Sequence, residues 1–155
     1  MLKYRLILLS MVFVFLVVAW SGVLNRQSAG EVSYAQNSNS SNEQLLARAI
    51  AGEARGETYV GMVAVAAVII NRTTDSRFPK TIPGVIYQPG AFSAVDDGQI
   101  NVNPDQQALK AARDALNGFD PTGGCVYYWN PTKTTNQWMQ SKQASTKIGK
   151  HNFAK

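Results

Sequence analysis

The stretch Tyr59–Arg72, "YVGMVAVAAVIINR", is apolar almost all the way round a helix. A helix with no polar face is either buried on every side or spans a membrane. Its apolar part is about a dozen residues, well short of the roughly 20 needed to cross a bilayer. The stretch therefore predicts a central core helix, and the rest of the chain must supply its cover. Gly61, Ala64, Ala66 and Ala67 leave room for neighbours to approach closely.

The segment before it, "SSNEQLLARAIAGEARG", carries its own helix signals. Ser41 with Gln44 fits a capping box, and Glu43 suits the positive end of the helix dipole. Leu45, Leu46, Ala49 and Ile50 recur at helical spacing, and the same stripe continues onto Glu53. Gly56 is placed to end the helix. Between Thr73 and Asn103, six prolines and glycines argue against long helices and predict short extended pieces and turns. "NPDQQALKAARDALNG" predicts a helix capped by Asn103, with Pro104 at its first position, Gly118 past its end, and Ala108, Ala111, Ala112, Ala115 and Leu116 buried. A short strand is expected over Cys125–Trp129, followed by an irregular stretch with one more strand. The fold class is α+β, mainly helical with a small β element.

Lys3 and Arg5 precede fifteen uncharged residues, the pattern of an export signal. Residues 1–35 are read as a signal peptide or N-terminal membrane anchor, 36–42 as a flexible linker and 43–155 as the folded domain. The formal charge is +5, and removing residues 1–35, with Lys3, Arg5, Arg26 and Glu31, leaves +3. Lys133, Lys142, Lys147, Lys150 and Lys155 follow Asp120 with no acid among them. Such a tail suits a polyanionic surface, and export favours lipid or cell wall over nucleic acid. The bland alternative is a solvated lysine face. One cysteine, Cys125, and one histidine, His151, exclude an internal disulfide and leave too few ligands for a usual zinc site. No metal or cofactor is expected. If calcium stabilises the domain, Asp96 and Asp97 are the oxygen ligands to consider.

Nine acids remain outside residues 1–35. Glu43, Asp105, Asp114 and Asp120 have structural explanations at helix ends, a polar face and a turn. Glu53 does not. A carboxyl group on an apolar stripe loses hydration, which disfavours its charged form and suits it to general-acid work. The competing explanation is a Glu neutralised by Arg55 or Arg72. Tyr87, Phe92, Tyr127, Tyr128, Trp129 and Trp138 lie in loop and strand regions beside Gln88 and Asn130. Rings that stack on sugar faces and amides that bond hydroxyls suit a carbohydrate groove, although core filling is the commoner role for any single ring. Cys125 with His151 as a thiol pair is the weaker candidate, because Cys125 opens an apolar strand and His151 lies in the basic tail.

"ARAIAGEARGETYVGMVAVAAVIINR", "FPKTIPGVIYQPGAFSAVDDGQI", "DPTGGCVYYWNP" and "IGKHNF" resemble, in order and over nearly all of residues 44–155, the spore cortex-lytic, SleB-type family of cell wall hydrolases. The resemblance implies a lysozyme-like, resuscitation-promoting-factor-like fold acting on bacterial peptidoglycan in a secreted or envelope-associated setting. It also implies that the first glutamate of E-A-R-G-E, here Glu53, is the catalytic residue. Cys125 stands where the family more often has alanine, which weakens the thiol reading. Family members often carry a separate wall-binding module; none is read in this sequence, so the linker and basic tail are expected to localise the protein.

The expected reaction is cleavage between N-acetylmuramic acid and N-acetylglucosamine. A two-carboxylate glycosidase needs a second acid about 5–5.5 or 6.5–9.5 Å away. Glu57 could serve if the helix persists through Gly56. A lytic transglycosylase needs only one acid, which acts as acid and then as base, and this route is favoured. The alternatives are an N-acetylmuramoyl-L-alanine amidase, disfavoured by the single histidine, and an inactive peptidoglycan-binding module.

Overall fold

The computed structural model describes residues 38–155, so the signal or anchor read over residues 1–35 lies outside the described residues. Helix α1 covers residues 38–53. It already contains Ser41, so the expected capping box is not its start, and residues 38–42, read as linker, are helical. Ser and Asn cost only tenths of a kcal/mol in a helix, and each residue added to an existing helix gains a hydrogen bond. The polar composition of 38–41 thus marks exposure. As expected, α1 stops short of Gly56, whose φ of +74° suits a glycine in the turn.

Helix α2, Tyr59–Thr74, is the predicted core helix: every residue from Gly61 to Ile69 is buried. Thr58 caps it by accepting the Gly61 N–H at 3.2 Å. Helix α5, Gln106–Leu116, lies along α2 with Ala108, Ala111, Ala112 and Ala115 inward. Its cap is Asp105 rather than Asn103; the carboxylate accepts the Ala108 N–H at 2.7 Å. A charged acceptor makes the stronger cap, which moves the start two residues past the expected one. Gly118, at φ +94°, follows the helix as anticipated. The outer ends are tied by Arg113 to Glu43 at 2.7 Å and by a Tyr59–Asp114–Lys110 cluster.

The segment after α2 forms helical turns instead of extended pieces: α3 (Ile82–Ile86), α4 (Ser93–Asp96) and a 3-10 turn (Gln99–Asn101). Thr81 caps α3 through the Gly84 N–H, and the fixed φ of Pro83 suits a first turn. Short apolar runs cannot be assigned by periodicity alone, which is why strands and turns were confused here.

The chain ends in a three-stranded antiparallel sheet ordered β1-β3-β2, with β1 Tyr127–Trp129, β2 Thr146–Ile148 and β3 His151–Ala154; α6, Gln137–Ser141, lies between β1 and β2. One strand more is present than expected, because Gly149 and Lys150 close a tight two-residue hairpin. Gly149 has φ +58°, and a glycine at the first central position is what one of the favoured hairpin turns requires. This turn docks on Glu57. The Lys150 N–H donates to Glu57 Oε2 at 3.0 Å, and Lys150 Nζ donates to the Gly56 carbonyl at 2.8 Å. A Cβ on Gly149 would stand 2.1 Å from Glu57 Oε2, so glycine is required twice over. His151, expected in a basic tail, is buried in β3 with Nδ1 3.3 Å from Glu57 Oε1.

Burial pushes His151 below its ordinary value of 6.5; the charges of Glu57 and Glu53 act the other way, and Lys133 and Lys150 add to the depression. The unfolded chain therefore binds this proton at higher pH than the native one. The contribution of His151 is complete above pH about 6.5 and is lost as pH falls below it. Denaturant unfolding at pH 7.5 and 5.5 should show lower stability at the acid end, and His151→Gln should flatten that slope. The same slope in both proteins would assign the effect elsewhere.

Candidate active site

Glu53 is the last residue of α1, and the apolar stripe that buries Leu46, Ala49 and Ile50 delivers it to the rim of the core, half-buried. Three donors converge on its carboxyl group. Ser93 Oγ and the Ala94 N–H donate to Oε1 at 3.0 and 2.9 Å. Tyr128 Oη donates to Oε2 at 3.2 Å. Phe92 at the N-cap of α4 has no side-chain cap bond, so Glu53 supplies the cap from across the fold. The pairing with Arg55 or Arg72 is not what is found. Arg55 is exposed, and Arg72 Nε donates to the Val126 carbonyl at 2.8 Å while its guanidinium lies over Phe78 and Phe92.

The approach of α4 depends on Gly52. A Cβ there would lie 2.4 Å from the Ala94 Cβ. A glycine late in a helix costs about 1 kcal/mol relative to alanine, and here it lets the Ala94 N–H reach its neighbour Glu53. Tyr128 comes from β1 opposite Phe153 and meets the edge of His151, with ring centroids 5.5 Å apart. Loss of hydration, then the nearby charge of Glu53, push the Tyr128 hydroxyl well above its ordinary value, with Arg72 opposing. The phenol stays protonated and donates.

A carboxyl oxygen offers two lone pairs. Both on Oε1 are engaged, whereas Oε2 has one bond, the longest of the three. Oε2 thus keeps one lone pair without a partner among the described residues.

Glu57 does not lie one turn along from Glu53, because the helix ends first. Its side chain, 3% exposed, is turned to the hairpin. Of the proposed sugar-binding residues, Tyr128 joins Glu53 directly. Tyr87 and Gln88 are exposed between α3 and α4. Phe92 and Trp129, at 1% and 6% exposure, fill the core and leave no ring face for a sugar in this arrangement. Asn130 Oδ1 is occupied by Thr132 at 3.0 and 2.7 Å. Tyr127 packs with Phe78 and Trp138.

Cys125 is buried, its thiol pushed up by burial and directed at the Thr122 carbonyl 3.2 Å away, while His151 faces Glu57; the thiol pair is not assembled. Both Asp97 oxygens are taken by Gln99, and no cluster of metal ligands occurs among the described residues. Sequence reasoning missed Ser93 and the Ala94 N–H, and considered His151 only as a partner of Cys125. The only hint was Gly52, a helix-weakening residue directly before the acid.

Residues 56–154 match the family model described as Cell Wall Hydrolase, a span that begins just past Glu53. The spore cortex-lytic enzyme of Bacillus cereus is 54% identical over 112 residues, 72% of this chain but 43% of that relative, so the chain spans less than half the length of that curated protein. The solved catalytic domain of the Bacillus cereus SleB protein is similar at TM-score 0.69 and 54% identity, covering 74% of this chain and 89% of that one. The catalytic domain of the germination-specific lytic transglycosylase SleB from Bacillus anthracis is similar at TM-score 0.71 and 53% identity, over 74% and 93% of the two chains. A family match across most of the folded domain, together with a relative more than half identical, means that the chain belongs to the cell wall hydrolase family.

Proposed function

We propose that this protein cleaves peptidoglycan glycan strands between N-acetylmuramic acid and N-acetylglucosamine as a lytic transglycosylase, with Glu53 as its single acid and base. The observation that carries the reading is the carboxyl group itself: Oε1 accepts from both Ser93 and Ala94, while Oε2 accepts only from Tyr128 among the described residues and keeps a lone pair. Oε2 gives its proton to the glycosidic oxygen as the bond from C1 to that oxygen breaks. The resulting carboxylate then takes the proton from the same sugar's 6-hydroxyl, whose oxygen bonds to C1 and closes an anhydro ring. No water is consumed, and no second carboxylate is needed. The fixed position of Glu57 against the hairpin is consistent with this.

The names of the Bacillus cereus and Bacillus anthracis relatives, a spore cortex-lytic enzyme and a germination-specific lytic transglycosylase, support the substrate and the reaction. Spore cortex or vegetative wall outside the cytoplasm is the proposed setting, reached by export through residues 1–35. Tyr87, Gln88 and Tyr128 remain the proposed sugar contacts beside Glu53. Lys133, Lys147 and Lys155 are exposed and suit anionic wall polymers. An amidase using zinc would need a cluster of ligands, whereas His151 and Cys125 are buried apart, one beside Glu57 and the other against the Thr122 carbonyl.

Glu53→Gln keeps the shape and removes the transferable proton. Wall clearing should fall by at least about 100-fold, and mass spectrometry of digests by the parent protein should find anhydro ends. Near-full activity in folded Glu53→Gln would reject the assignment; reducing ends would select hydrolysis.

Gly52→Ala tests the approach of α4. Its added methyl group displaces Ala94 from Glu53, and activity should drop on the order of 10- to 100-fold, although alanine is the better helix former. Parent-level activity would show that the close approach is dispensable.

Chelator treatment and Cys125→Ala should each leave wall clearing intact. Loss with chelator that zinc restores would revive the amidase.

A further inference from the structure

Successive strand residues point to opposite sheet faces, so Tyr127 faces away from Tyr128 and Glu53. Its ring meets Trp138 edge-on, with centroids 5.4 Å apart, and Phe78 at 5.9 Å. Lys142 Nζ sits in the corner of this T, 4.2 Å from the Tyr127 centroid and 4.3 Å from that of Trp138. Three features set this corner apart. Trp138 is 55% exposed. Helix α6, which carries it, has no buried residue, yet it is ordered by an Asn136 cap on the Met139 N–H and by Gln140 on the Thr134 carbonyl. The helix therefore holds an indole out to solvent instead of filling the core. Finally, Lys142 is fixed by two ring faces and belongs to none of the ion pairs among the described residues, whereas nearby Arg77 is committed to both oxygens of Asp75.

We propose that Trp138, Tyr127 and Lys142 form a second carbohydrate site for a pyranose that bears a carboxylate. The open face of Trp138 stacks on the sugar, and the Lys142 ammonium, held in place by the rings, receives the acid. This rests on the peptidoglycan reading above, in which the carboxylate is the lactyl acid of a muramic sugar without a stem or, where a peptide stem holds that acid as an amide, a carboxylate of the stem. A row of rings and cations connects the site to the catalytic side: Phe78 lies under the Arg72 guanidinium, whose second ring contact is Phe92, the residue before Ser93. One strand could thus be gripped away from the bond that is cut, and none of the three residues bonds to Glu53.

The test uses the full chain carrying Glu53→Gln, so that ligands are not turned over. Calorimetry would compare three soluble probes of equal length: muropeptide glycan with its stems, the same glycan freed of stems, and a neutral chito-oligosaccharide. Carboxylated glycan should bind about tenfold tighter than the neutral one, the effect of one charged contact. Lys142→Gln should abolish that preference without altering chito-oligosaccharide binding, and Lys142→Arg should restore it. Trp138→Ala should weaken all three probes. The stem holds the lactyl acid as a neutral amide, and its removal frees that acid. Preference shown only by stem-free glycan therefore assigns the lactyl acid, preference shown only by stem-bearing glycan assigns a stem carboxylate, and preference shown by both assigns either carboxylate to the same ammonium. Unchanged affinities in folded Lys142→Gln and Trp138→Ala proteins would overturn the site. If the protein without Glu53→Gln releases nothing from wall while the carboxylate preference persists, the catalytic reading falls and the site stands.

Discussion

Helix α2 has no side that water could solvate, and the domain is arranged to hide it. Fully burying one valine or isoleucine side chain is worth about 1.5–3 kcal/mol, and α2 contributes three buried valines and a buried isoleucine in succession with alanines between them. α5 covers it with a face made only of alanines, which allows close packing. α1 brings Leu46 and Ile50, and the turns after α2 bring Val85, Ile86 and Phe92. Because α2 must be enclosed on all sides, these segments have little freedom in where they lie, and the site inherits that fixity.

The consequence appears where the cover has edges. α1 ends at the rim, so its last residue, Glu53, meets whatever element closes over it. That element is α4, which lacks a cap of its own and takes the Glu53 carboxyl group as its first hydrogen-bond acceptor. A single contact thus satisfies a helix start and immobilises an acid. The contact leaves the carboxyl group asymmetric, with two donors on one oxygen and one on the other. In the proposed mechanism, preorganisation of this kind would let the carboxyl group act without rearranging.

Glu57 has the same side chain four residues later, and the fold uses it differently. The turn at Gly56 directs it away from α1 and under the β2–β3 hairpin, where the Lys150 N–H and the imidazole of His151 enclose it. His151 in turn backs Tyr128 edge-on. The two glutamates of one motif therefore hold different parts of the fold: Glu53 receives α4 and Tyr128, and Glu57 fastens the hairpin of the sheet that carries Tyr128.

Periodicity and turn chemistry in the sequence determined the core helix, the alanine face of α5, the stop at Gly56 and the emergence of Glu53 on an apolar stripe. These depend on neighbours within a few residues, and so they can be read locally. The family resemblance reached the same glutamate. The choice of Asp105 over Asn103 as cap turned on the stronger charged acceptor, and the helical turns over 82–101 were missed because short apolar runs fit either element and packing decides between them. The partners of Glu53 come from 40 and 75 residues away, and the burial of His151 depends on a hairpin docking onto a turn 94 residues earlier. No local pattern encodes such meetings. Only the tertiary structure decided that one glutamate would be left with an open oxygen and the other sealed, since that depends on which distant donors each carboxyl group meets.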